Sequence, residues 1–166
     1  MERTAANHGP VGIGGWLLLP ILGLIITPLL ILVSLRRDVL PALETSAWNA
    51  LTTPGEPIYH SLWAPYIIGS IVLNAITITS AIWLLVLGFK CRKSFPNLII
   101  AFYLYTVSVA MFEMAAVNGF LATVLPAEAR NMEPQVSGAL VRAIVVCGIW
   151  SIYFKVSKRV KNTFIV

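Results

Sequence analysis

Four long runs of apolar positions, separated by short polar clusters, organise this chain. The runs cover 11–35, 65–89, 95–124 and 136–154, and a helix needs about 20 apolar residues to cross the hydrocarbon core of a bilayer. Each is continuous rather than alternating, which indicates helices and not strands of a barrel. Cations close three of them: Arg36 and Arg37 after the first, Lys90, Arg92 and Lys93 after the second, and Lys155, Lys158, Arg159 and Lys161 after the fourth. The first run is too long for the apolar core of a signal peptide, lacks a small-residue cleavage site and ends in two arginines, so it reads as a retained span. The expected architecture is all-α: an integral membrane four-helix bundle forming a single transmembrane domain over 1–166.

The segment between the first two runs, 36–64, is long enough to hold structure of its own. Asp38 is placed to cap a helix and Pro41 to open one. Leu40, Leu43, Ala47 and Leu51 then share one face, with Trp48 beside it. A short interfacial helix on the outer surface is expected there. Thr53-Pro54-Gly55-Glu56-Pro57 marks a turn. Tyr59, Trp63 and Tyr66 read as an interfacial aromatic belt. The 125–135 segment is polar, and Glu133 with Pro134 is expected to open the fourth helix.

Within the spans, Pro20 and Pro28 remove backbone hydrogen bonds from the first, where they either shape the bundle or make a hinge or an opening for a ligand. Ala139, Ala143, Cys147 and Ser151 recur at intervals of four, and Ala115 and Gly119 repeat the spacing. Small residues let helices approach closely in lipid, so these positions read as a packing seam within the monomer or between copies.

Composition agrees with the pattern. Apolar residues make up 58% of the chain and charged ones 11%, with a net charge of +5 and a mean hydropathy of +0.83. An ordinary soluble domain carries about 25% charged residues. The cations also set an orientation. Arg3, Lys90, Arg92, Lys93, Lys155, Lys158, Arg159 and Lys161 fall on one side, against Arg36, Arg37 and Arg130 on the other. That asymmetry places both termini in the cytoplasm. The basic tail, Lys155, Lys158, Arg159 and Lys161, then meets anionic headgroups at the membrane interface. This accounts for the high pI without nucleic acid, whose recognition needs a basic groove with stacking aromatics.

Two ionisable residues lie inside the spans, Glu113 and Arg142. Counting 1.5 Å per residue from each span's centre puts Glu113 about 6 Å, Arg142 about 5 Å and Asn74 about 4–5 Å toward the outer face. Asn74, Glu113 and Arg142 are therefore expected to converge at one level as a structural or ligand-binding polar cluster, with Glu113 and Arg142 as a buried ion pair. Catalytic sets are missing. Cys91 and Cys147 differ in depth and suit no disulfide enzyme. His8 and His60 lie outside the spans, so neither haem nor zinc has ligands. There is no G-x-S-x-G. Gly12-Ile13-Gly14-Gly15 lacks the strand that a dinucleotide fingerprint needs. No cofactor, metal or catalytic residue is expected.

Gly12-Ile13-Gly14-Gly15-Trp16-Leu17 opens the first span. Ser157-Lys158-Arg159-Val160-Lys161-Asn162-Thr163-Phe164 follows the last, after Trp150 and Tyr153. With four spans and a basic central loop, the chain resembles the YdgK-like family of small bacterial inner-membrane proteins, a domain of unknown function. The resemblance implies a multi-pass protein of the bacterial inner membrane and carries no activity or site residue. Physically, Trp16 anchors at the inner interface, while Phe164 and Ile165 either return to the membrane or dock on the cytoplasmic face. The chain reads as a non-enzymatic accessory or assembly protein that contacts lipids and a membrane-protein partner or further copies of itself. The alternative is a small oligomeric transporter or channel using an outward-opening site at Glu113 and Arg142.

Overall fold

A computed structural model describes residues 12–165, and these form helices and turns with no strand among them. A single 3-10 turn, Gly15–Leu17, leads into α1, Leu18–Ser34. A π-helical turn and a 3-10 turn follow, then α2, Thr45–Thr52. Next come α3, Trp63–Phe89, and α4, Phe95–Ala116. A π-helical segment, Val117–Leu121, and the one-turn α5, Ala122–Val124, extend α4. The chain reverses at Leu125 into α6, Pro126–Val156, and ends in α7, Lys158–Thr163. Four of these helical stretches are long and apolar enough to cross a membrane, so the four-helix bundle expected from the apolar runs is present.

The spans alternate in direction and form a row. α1 packs on α3, α3 on α4, and α4 on α6. Lys90, Arg92, Lys93 and the cations from Lys155 to Lys161 lie at one end, the basic end. The 35–62 segment and the start of α6 lie at the other, the loop end. Each end has its own apolar core. At the basic end, Leu17, Leu24, Leu84, Phe95 and Ile99 are almost wholly buried. Gly88 makes this closeness possible. A Cβ there would lie 3.1 Å from the Phe95 ring and 3.2 Å from Ile21 Cδ1, so a side chain would push both neighbours back by a few tenths of an ångström.

At the loop end, Leu51, Trp63, Ile67, Val117, Phe120 and Leu121 form the second core. Trp63 is therefore not part of an interfacial belt. Its indole N–H donates to the Ile58 carbonyl at 2.9 Å and its ring meets Phe120 edge-on. With its one polar atom satisfied, the ring can be buried. The short helix expected in the first loop is α2, which buries Leu51. Asp38 does not cap it; its carboxylate instead accepts from the Ser34 hydroxyl at 3.0 Å.

The fourth helix begins at Pro126, well before the expected opening at Glu133 and Pro134. Pro126 takes the first-turn position, where no N–H is needed, and Ala129 is buried in the loop-end core. Packing thus holds the early turns and carries the helix through Pro134. Of the small-residue positions, Ala139, Ala143, Cys147 and Ser151 are buried or half-buried along α6, while Ala115 and Gly119 are exposed. Within the monomer, the small residues that pack therefore belong to α6, which lies against α4.

α3 ends in a Schellman motif. The Cys91 N–H donates to the Gly88 carbonyl at 3.0 Å and the Arg92 N–H to the Leu87 carbonyl at 3.1 Å. Cys91 occupies the left-handed position, φ +49°, where glycine is usual. A side chain there costs about 1 kcal/mol. Cys91→Gly is accordingly expected to raise the unfolding free energy in detergent by about 0.5–1 kcal/mol, read as a higher Tm than that of Cys91→Ala.

Candidate functional site

Asn74, Glu113 and Arg142 come from α3, α4 and α6. Phe95 and Phe154 set the register of α4 against α6, with ring centroids 5.8 Å apart. Glu113 lies eighteen residues beyond Phe95, about 27 Å along the axis, and Arg142 twelve residues before Phe154, about 18 Å. The expected ion pair does not form. The one salt bridge among the described residues joins Arg37 to Asp38 on the surface at 3.8 Å. Glu113 and Arg142 differ in level by about 9 Å, and Arg142 is exposed on the side of α6 away from α4, whose packing residues are Cys147 and Phe154. The levels counted from the sequence failed because α6 overhangs the apolar run by ten residues at the loop end.

Glu113 is half-buried and belongs with α3 instead. Tyr66 stacks on the neighbouring Phe112 at 6.0 Å, points its hydroxyl toward Ser70 and lies within electrostatic reach of Glu113. Tyr66 also meets Phe120 at 5.4 Å, and Phe120 in turn stacks on His60 at 5.4 Å. These rings pack against one another, so the aromatic group closes the loop end. Asn74 is half-buried lower on α3 and makes no side-chain hydrogen bond among the described residues. Next below it, the Tyr105 hydroxyl donates to the Leu73 carbonyl at 2.7 Å. Towards the basic end, a groove of about 230 Å³ opens between α3 and α4, lined by Ser80, Trp83, Phe102 and Tyr105 among others.

The two segments that bound the spans meet at the basic end. The Gly12 N–H donates to the Thr163 hydroxyl at 2.9 Å across 151 residues of sequence. Ser157 caps α7 by accepting from the Val160 N–H at 3.4 Å. Val160, Thr163 and Phe164 are buried, and Phe164 stacks on Phe95 with centroids 4.7 Å apart. The Arg159 guanidinium lies against Gly14 and Gly15, occupying the space a Gly15 Cβ would need. Gly15 also has φ +57°, a second reason for glycine there. Arg159 Nε is buried without a hydrogen-bond partner among the described residues.

The tail therefore divides. Arg159 turns inward, while Lys155, Lys158 and Lys161 are exposed. No described acidic residue lies at this end; Asp38, Glu44, Glu56, Glu113, Glu128 and Glu133 are all in the loop-end half. Of the two docking outcomes for Phe164 and Ile165, Phe164 docks on the bundle and Ile165 is exposed. His8 and Arg3 lie outside the described residues. Among those described, no group of His, Cys, Asp and Glu could hold a metal ion, and Cys91 and Cys147 are free thiols.

The decisive comparison covers residues 10–165, which match the family described as a protein of unknown function, DUF2569. The chain belongs to that family. No curated protein and no solved structure matches it. The family thus extends from the first glycine segment through α7 and brings no activity with it.

The residues that join the ends, Gly12, Gly15, Arg159, Thr163 and Phe164, were partly visible in the sequence as unusual motifs, but nothing local shows that they touch. Phe164→Ala removes a buried ring and is expected to cost about 3–5 kcal/mol of unfolding free energy, measured by thermal or denaturant unfolding in detergent. Glu113→Gln and Arg142→Leu remove no internal partner. Their stability effects are expected to add, with a double-mutant coupling below about 0.5 kcal/mol; a formed ion pair would give stronger coupling.

Proposed function

We propose that this is a non-enzymatic accessory or assembly protein of the bacterial inner membrane, YdgK-like in kind, with both termini on the cytoplasmic side. One observation carries the reading: the bundle is an open row, and its last member is covered on one side only. α6 packs on α4, and on its other side Arg142 is exposed with no acid of the described chain paired to it. A bundle that encloses its own site covers all its helices from the inside. This one leaves one face of α6, with Arg142 on it, to a neighbour in the bilayer.

The charge distribution supports the orientation. Lys90, Arg92, Lys93, Lys155, Lys158 and Lys161 project from one end with no described acid among them. Such an end sits on the cytoplasmic leaflet, where each cation near anionic headgroups contributes about 1 kcal/mol. Lipids are thus one set of partners, and nucleic acid is not needed to explain the charge. The transporter alternative relied on Glu113 and Arg142 opening together; with the two on different faces it has less support.

Orientation is tested by placing single cysteines in a chain lacking Cys91 and Cys147. A cysteine at Glu56 is expected to react with a membrane-impermeant maleimide added to spheroplasts, and one at Lys161 only after lysis. The reverse pattern would overturn the topology. For function, extraction from native membranes in mild detergent is expected to yield a stoichiometric complex with another membrane protein. A chain that repeatedly purifies alone would count against an accessory role.

A further inference from the structure

We propose that the outer face of α6 docks, inside the bilayer, a transmembrane helix of a different protein that carries a carboxylate level with Arg142. This deepens the accessory reading and rests on it. Gln135, Gly138, Arg142, Val145, Ile149 and Ile152 succeed one another at alternating spacings of three and four residues, and all six are exposed. That spacing makes a straight seam along a helix, the pattern into which a second helix packs side by side. A Cβ at Gly138, one turn from Arg142, would meet nothing within 4 Å, which leaves room for a partner backbone to come close.

An apolar helix face needs no protein cover in lipid. Arg142 supplies the reason for a partner. Lys155 follows Phe154 directly, so a hydrocarbon core of roughly 30 Å starting at the Phe95–Phe154 layer would hold Arg142, about 18 Å above it, in its interior. A guanidinium there is costly unless it is paired. No acid of the described chain reaches it. Glu113 stands about 9 Å higher, against α3. Glu133 is nine residues away on α6, about 13 Å along the axis.

A second copy is a poor occupant of this face. Copies inserted by the same charge rule share one orientation, so in a symmetric pair of α6 helices the two-fold axis lies along the membrane normal and each seam residue stands level with its own equivalent. Arg142 would then face Arg142 in a medium that screens little. Head-to-tail packing fails as well, since the neighbour's Glu113 is at the wrong level. Charge complementarity therefore selects another chain with an intramembrane Asp or Glu.

The test places a photo-crosslinking residue at Ile149 of the full chain in native membranes, with Trp83, beside the groove between α3 and α4, as control. The expected result is one protein adduct from Ile149 and none from Trp83, the adduct having an Asp or Glu within a membrane span. Arg142→Leu is expected to reduce it at least about tenfold and Arg142→Lys to retain most of it. Arg142→Glu combined with the partner's carboxylate changed to Arg should restore it. Unfolding of Arg142→Leu in detergent, unchanged from wild type, confirms that the loss is not misfolding. A captured protein without an intramembrane acid, or an adduct indifferent to Arg142, overturns this inference and leaves the accessory role standing. An adduct with a second copy overturns it too. Lipid adducts alone, together with a chain that purifies by itself, overturn both.

Discussion

At the basic end Phe95 lies between Phe154 and Phe164, in the niche that Gly88 leaves open on α3. Three helices and the terminal segment meet on that one ring, which is wholly buried. In lipid the hydrophobic effect gives helices no reason to associate, so close packing must do it. A ring held on several sides provides many dispersion contacts in one place. It also sets the vertical register of α3, α4 and α6, and through register it decides which polar residues share a level.

That register separates Glu113 from Arg142. Reading levels from the middle of each apolar run assumes that every helix is centred in the membrane. α6 is not, because its first turns are packed against Val117 and Phe120 beyond the apolar run. The acid and the base therefore serve different places. Glu113 sits beneath the aromatic group that closes the loop end, and Arg142 stands on open helix surface. The polar chemistry of this bundle is distributed along its exterior and its seams.

The spans themselves were legible in the sequence because soluble folds rarely tolerate about 20 consecutive apolar residues. Facing directions were not. A soluble helix betrays its buried side by polar residues opposite, but Val141, Ile144, Val145 and Ile149 are as apolar as the residues that pack inward. Trp63 was misplaced for a related reason: an indole is stable at the interface or in a core, and the choice rests on the Ile58 carbonyl, which no pattern announces. Small residues were better guides, since Ala139, Ala143 and Cys147 do line the inner side of α6. The two end motifs stood out by composition, yet their meeting spans 151 positions and leaves no periodic trace.

The meeting of Gly12 with Thr163 also bears on the timing of assembly. At a synthesis rate of about 5–20 residues per second, Arg159 follows Gly15 out of the ribosome by roughly seven to thirty seconds. During that interval the first helix rests in the bilayer with its entry turn uncovered, and the membrane holds it there. Insertion of the four helices and the final locking of their ends are thus separate events, and a chain stopped after α6 would cross the membrane four times yet never acquire its fastening.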